Sequence, residues 1–148
     1  MAVSKWILFI TYFSIVTYIV FLDPGRKGKP WNERQVHLIP FKNTVDSFSS
    51  LKHHSPEKRV TFFLASFFGN IIMFIPVAFF AFGLFGLNRE IIVIGIGLAA
   101  TLLIECLQYA FRVGVWDIDD VILNSTGVFI GIVIWKRFVP FIIKFRQT

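Results

Sequence analysis

The sequence predicts an all-α, polytopic membrane protein: a small bundle of about four transmembrane helices with an interfacial loop segment. Three observations lead there. Hydrophobic residues make up 55% of the 148 positions and aromatic residues 18%, with 19 phenylalanines, more apolar surface than a soluble domain of this length can hide. That apolar content is gathered into four runs with polar stretches between them. Within those runs charge is nearly absent, and Glu105 is the exception. The length suits a single membrane domain, residues 1–148, rather than two.

The first run, Trp6 to Leu22, is 17 residues without a charge, closed by Asp23-Pro24-Gly25. It is longer than a signal-peptide core, and no small-x-small cleavage site follows, so a retained helix over about 6–22 is expected. Residues 23–59 form a polar connection with eight basic and four acidic residues. Inside it, Val36-His37-Leu38-Ile39-Pro40-Phe41 is an apolar island suited to the headgroup interface. The second helix, about 61–87, comes from the uncharged run Val60 to Asn88, with Gly69, Asn70 and Pro76 as interruptions that favour a kink or tilt. Gly83, Gly86 and Asn88 mark its exit, and Arg89-Glu90 is read as a very tight turn. The third helix covers 91–111. The fourth, about 118–138, is built on Val121 to Trp135. Those 15 residues rise only about 22 Å, short of a roughly 30 Å hydrocarbon core. It must therefore start near Trp116 or Asp117, or continue past Lys136 and Arg137 with those side chains snorkelling.

Four crossings put the 23–59 and 112–120 connections on one side of the membrane. His37, the end of helix three and the start of helix four then share a leaflet, with Asn70 roughly 15 Å and Glu105 about 10 Å deep from the same face. Lys5, Arg89 and the C-terminal Lys136, Arg137, Lys144 and Arg146 favour both termini in the cytoplasm, although the basic residues of the first connection argue the other way.

Charge excludes one class and locates a site. The net charge of +6 fits anionic headgroups in a chain this hydrophobic, and no nucleic acid is expected. The only dense acidic cluster lies at the junction of the last two apolar runs, where ionisable groups are costly and normally face protein, a partner or water. Glu105, Gln108 and Arg112 are spaced i, i+3, i+7, on one helical face; a plain ion pair between Glu105 and Arg112 is as good an account as binding or proton transfer. Asp117, Asp120, Asn124, Gly127 and Gly131 share a second face. One Asp there is explained by helix capping, but Asp117, Asp119 and Asp120 together exceed that need. Gly127 and Gly131 form a small-residue stripe for close helix contact, and Asn70 is either a ligand or interhelical glue. The single cysteine, Cys106, is read as a buried structural thiol. The acidic group would suit a hard cation, but none of the familiar metal spacings is complete, so neither a metal nor another cofactor is expected.

Leu38-Ile39-Pro40-Phe41, Gly69-Asn70 with Phe74-x-Pro76, Glu105-x-x-Gln108, and Asp117-Ile118-Asp119-Asp120-Val121-Ile122-Leu123-Asn124 with Gly127 and Gly131 appear in that order. Together the pattern resembles the VanZ-like family of bacterial membrane proteins. The last block is the specific one. The family often has Asn where this chain has His37, and its basic residue near the Asp block varies in position, which loosens any role for Arg112. The resemblance implies a multi-pass protein of the bacterial cytoplasmic membrane, similar to factors that give low-level resistance to teicoplanin and other lipoglycopeptides.

Two functions from different classes follow. One is a membrane factor of the cell envelope with a polar acidic cleft near the outer face. The alternative is a small membrane enzyme acting on a lipid-linked or phosphate-bearing envelope substrate. In the latter, Glu105, Asp117 and Asp120 are the candidate acid–base groups. His37, Asn70, Gln108, Arg112, Asp119 and Asn124 are the candidate binding groups, with Lys42 as a further anion contact. A transporter with Glu105 as gate ranks last, since four helices are few unless the chain oligomerises. Expected partners are membrane lipids and either a lipid-linked precursor or the lipoglycopeptide; a homo-oligomer is compatible with the sequence.

Overall fold

A computed structural model describes residues 2–22, 36–42, 45, 49 and 56–145. The Asp23-Pro24-Gly25 stop, most of the first connection, Arg146 and the side chain of Lys144 lie outside the described residues.

Among the described residues four helices carry the fold, and each contains a stretch long and apolar enough to cross a bilayer. Helix α1 (Ala2–Thr17) continues into a π-helical turn (Tyr18–Leu22), and α2 spans Pro56–Gly83. Helix α3 spans Glu90–Phe111 and α4 spans Ile118–Phe145. Two short strands complete it, β1 (Val36–His37) and β2 (Trp116–Asp117), paired in parallel with Val36 opposite Trp116 and His37 opposite Asp117.

Many large apolar side chains point out of the bundle. Ile91, Leu103, Phe129 and Val133 are each at least half exposed, the arrangement of a bundle whose outer solvent is lipid. Helix α4 is the hub: 44% of its span is buried, against 11% for α1 and for α2. Its inner face presents Val128 and Ile132 to Phe74, Ala78 and Ala81 of α2 and to Val93 of α3. Lipid is as apolar as these residues, so close packing rather than expulsion from water must hold the helices together. The glycine stripe supplies that closeness. A Cβ on Gly127 would collide with the carbonyl oxygen of Ile71, and one on Gly131 with that of Ile75. Gly97 of α3 admits Val128 in the same way.

Helix α1 is held mainly by rings. Phe9 packs edge-on to Phe80 and Phe85, Trp6 edge-on to Phe85, and the Tyr12 hydroxyl donates to the Met73 carbonyl at 2.7 Å. Two polar contacts lie near the termini-facing end of the bundle, one from α1 and one between α4 and α3. Lys5 Nζ donates to the Gly83 carbonyl at 2.9 Å, a cation on the negative end of the α2 dipole, and Lys136 pairs with Glu90 in the first turn of α3.

Several boundaries differ from the sequence reading. Helix α2 ends at Gly83, and the turn is Leu84 to Asn88, closed by Phe85 N–H to Phe80 and Leu87 N–H to Ala81. Gly86 takes a left-handed φ of 66° there, which glycine adopts without steric cost. Arg89 is then the extended N-cap of α3 rather than half of the turn. Of the two solutions to the short fourth run, the helix starts at Ile118 and runs on past Lys136 and Arg137. Cys106 is exposed rather than buried: Glu105 occupies the inward phase, and one residue of helix rotates its neighbour out toward lipid.

Gly127→Ala is expected to cost about 1–3 kcal/mol because the α2 backbone must retreat. Gly95→Ala meets nothing within 4 Å and should be neutral or gain up to about 1 kcal/mol. Thermal unfolding of both variants in detergent measures the difference; equal melting would refute the close α2–α4 contact.

Candidate functional site: a buried polar layer

The buried polar and charged side chains among the described residues are Thr101, Glu105, Gln108, Asp117, Asp119 and Asn124. All lie in the last three turns of α3 or at the start of α4. The layer therefore sits at one end of the bundle, opposite the Lys5 and Lys136 contacts.

Its centre is Glu105, 1% exposed. Helical phase directs it inward from α3, and its Oε2 accepts the backbone N–H of Asp117 at 2.9 Å. Asp117 ends β2 and caps α4: its Oδ1 accepts the N–H of Asp119 at 3.0 Å, the N-cap geometry that satisfies a helix's unpaired amides. Asp119 Oδ1 then accepts the N–H of Phe41 at 2.5 Å. Three carboxylates thus form a relay, each accepting a main-chain amide: Glu105 fixes the α3–α4 connection, Asp117 starts α4, and Asp119 holds the Leu38-Ile39-Pro40-Phe41 segment. Charged acceptors make such bonds stronger than neutral ones. Phe41 sits at a φ of 62°, a backbone conformation costly for a non-glycine residue, and the Asp119 bond lies at that residue.

The remaining members pair across helices. Asn70 Nδ2 donates to Asp120 Oδ1 at 2.5 Å, joining α2 to the first turn of α4. Asn124 Nδ2 donates to Thr101 Oγ1 at 2.8 Å, joining α4 to α3, while Asn124 Oδ1 has no hydrogen-bond partner among the described residues. Gln108 Nε2 reaches the Val20 carbonyl of the π-helical turn at 3.4 Å.

The structure sorts the candidate residues. It brings together Glu105, Asp117 and Asp119, with His37 half-buried in register with Asp117 and the Asp120–Asn70 pair beside them at the α4 start. Gln108 shares the Glu105 face but is directed to α1. Arg112 departs from the expected phase. Helix α3 ends at Phe111, and Arg112 is its exposed C-cap, left-handed at φ 63°. The i, i+7 alignment with Glu105 assumed a helix that has already stopped. Asp117 likewise shares the α4 face as its cap rather than as a helical residue. Two contributors went unseen in the sequence. Thr101, fully buried, was findable as the i−4 neighbour of Glu105. The Phe41 amide carries no side-chain signal. Among the described residues no three His, Cys, Asp or Glu side chains gather to hold a metal ion.

The VanZ/LLP1 family model matches residues 8–142. The chain belongs to the VanZ/LLP1 family. It is 32% identical over 108 residues to Protein VanZ of Enterococcus faecium, covering 66% of this chain and 63% of that protein. The matched region thus spans less than two thirds of that relative's length. No solved structure matches the chain. With four spanning helices, this is a multi-pass membrane protein of that family.

Asp119→Ala removes the acceptor for the Phe41 amide, whereas Asp119→Asn keeps an oxygen in place. A hydrogen bond to a charged group contributes about 1.5–3 kcal/mol. Hydrogen–deuterium exchange of the 38–42 amides should therefore rise by about tenfold or more in the Ala variant, with a smaller rise in the Asn variant. Unchanged exchange in Asp119→Ala would show that the segment is held by other contacts.

Proposed function

We propose that this chain is a VanZ-type factor of the bacterial cell envelope, seated in the cytoplasmic membrane, that lowers susceptibility to teicoplanin and related lipoglycopeptides. Its working site is a polar acidic cleft near the outer face, built on the Glu105–Asp117–Asp119 relay. The observation that carries this reading is the concentration of buried polar side chains at one end of an otherwise apolar bundle. Burying ionisable groups in a membrane is expensive and is kept where they serve a site. Family membership and the similarity to Protein VanZ support the resistance role.

Orientation follows from the opposite end. Lys5, Lys136 and Arg137 cluster there, and the positive-inside rule assigns that end to the cytoplasm. The polar layer then faces the outer leaflet, where lipid-linked wall precursors and lipoglycopeptides meet the membrane. Half-buried His37, Asn70 and Asp120 are the groups that would meet such a ligand. The binding reading is preferred to the enzymatic one on one point: Glu105, Asp117 and Asp119 each devote an oxygen to a main-chain amide, so their charge already has a structural use.

Expression of the wild-type chain in a susceptible host should raise the inhibitory concentration of teicoplanin. Glu105→Gln and Asp120→Asn keep acceptor oxygens and should retain most of that protection. Loss of protection by variants that still express and melt normally would favour acid–base chemistry on a lipid-linked or phosphate-bearing substrate. No protection by wild type would remove the resistance role. In a Cys106→Ser background, a cysteine at Asp46 should label from outside intact cells and one at Gln147 should not; equal labelling would overturn the orientation.

A further inference from the structure

The end of α1 and the last turn of α3 leave a space between them. A cavity of about 380 Å³ is lined by Thr17, Phe21 and Leu22 on one wall and by Leu107, Phe111 and Val113 on the other. The Gln108–Val20 hydrogen bond ties those two walls together, and the π-helical turn that supplies Phe21 and Leu22 is a widened geometry that recurs at functional sites. A stable water needs two to four polar partners, and of these lining side chains only Thr17 carries a polar group. A sugar or peptide ligand would need convergent polar groups in the wall. The space suits an alkyl chain.

What marks the kind of chain is Arg112. It stands in sequence between two lining residues, Phe111 and Val113, exposed at the point where α3 stops. A helix end is headgroup level, and arginine is the side chain whose planar fork matches phosphate oxygens. An apolar groove whose wall residues Phe111 and Val113 flank an exposed arginine in sequence complements a phosphate-bearing amphiphile in both polarity and charge. We propose that this groove holds one acyl chain of an anionic phospholipid, with Arg112 on its phosphate. The site lies beside the polar layer rather than in it, and it depends only on the chain spanning a membrane, not on any effect on a drug.

The test is native mass spectrometry of the purified full-length protein in detergent, titrated with phosphatidylglycerol and with phosphatidylcholine of the same acyl chains. Wild type should retain one phosphatidylglycerol with about fivefold preference, equivalent to about 1 kcal/mol for one basic residue beside an anionic lipid. Arg112→Gln should bring the two lipids to near parity while binding both. Leu107→Trp fills the groove and should lose both. Thr17→Leu, a smaller filling change, should weaken both, with thermal melting recorded so that an unfolded variant is recognised. Equal retention of the two lipids by wild type, or an unchanged preference in Arg112→Gln, would overturn the proposal. So would displacement of phosphatidylglycerol by an equal concentration of a polyprenyl phosphate, which would assign the groove to a wall-precursor carrier instead. Because no drug and no cells enter the measurement, its failure leaves the resistance reading standing, and loss of the resistance reading leaves this one standing.

Discussion

Hydrocarbon offers a backbone amide no partner, so a chain that leaves its helix near the membrane must bring a hydrogen-bond acceptor with it. Between α3 and α4 the chain does leave its helix, and the acceptor is the carboxylate of Glu105 on the Asp117 amide. The rest of that end of the bundle hangs on this bond. With Asp117 fixed, its side chain caps α4 and β2 lies beside β1. With α4 started at Ile118, Asp119 points to the Phe41 amide and Asp120 to Asn70. A neutral acceptor could make the first bond; a carboxylate makes it more strongly, which offsets part of the cost of burying a charge.

The two ends of the bundle solve the same problem with opposite charges. At the end carrying the termini, cations act on exposed elements: Lys5 on the α2 carbonyl end and Lys136 on Glu90. Exposed pairs of this kind contribute little to stability. At the other end the charges are negative and buried, and they organise main chain. Between the ends the bundle is held by fit. Gly127 and Gly131 let α4 lie against the α2 carbonyls, and this close approach aligns Asp120, about two turns before Gly127, with Asn70.

The polar layer also explains why its members are spread through the sequence as they are. Asn70, Thr101, Glu105, Asp119 and Asn124 come from three helices, yet each lies within a few turns of the same membrane face. A layer assembled from several helices ties them together through hydrogen bonds whose alternatives, in lipid, are unsatisfied groups.

The four spans, the shared leaflet of the two connections, the inward phase of Glu105 and Asn124 and the glycine stripe were all legible in the sequence. Each depends only on hydropathy or on helical periodicity, which are local properties. Tertiary structure alone decided the rest. Cys106 faces out because Glu105 faces in, and only one of two adjacent residues can point to the core. Arg112 left the Glu105 face because the helix ended one residue earlier, a boundary that periodicity does not mark. The Phe41 amide joined the site because Asp119 reaches across 78 positions of sequence, and a main-chain donor leaves no trace in residue identity. Composition and period fix which faces are apolar; which main-chain groups those faces must satisfy depends on where the chain stops being helical, and packing sets that.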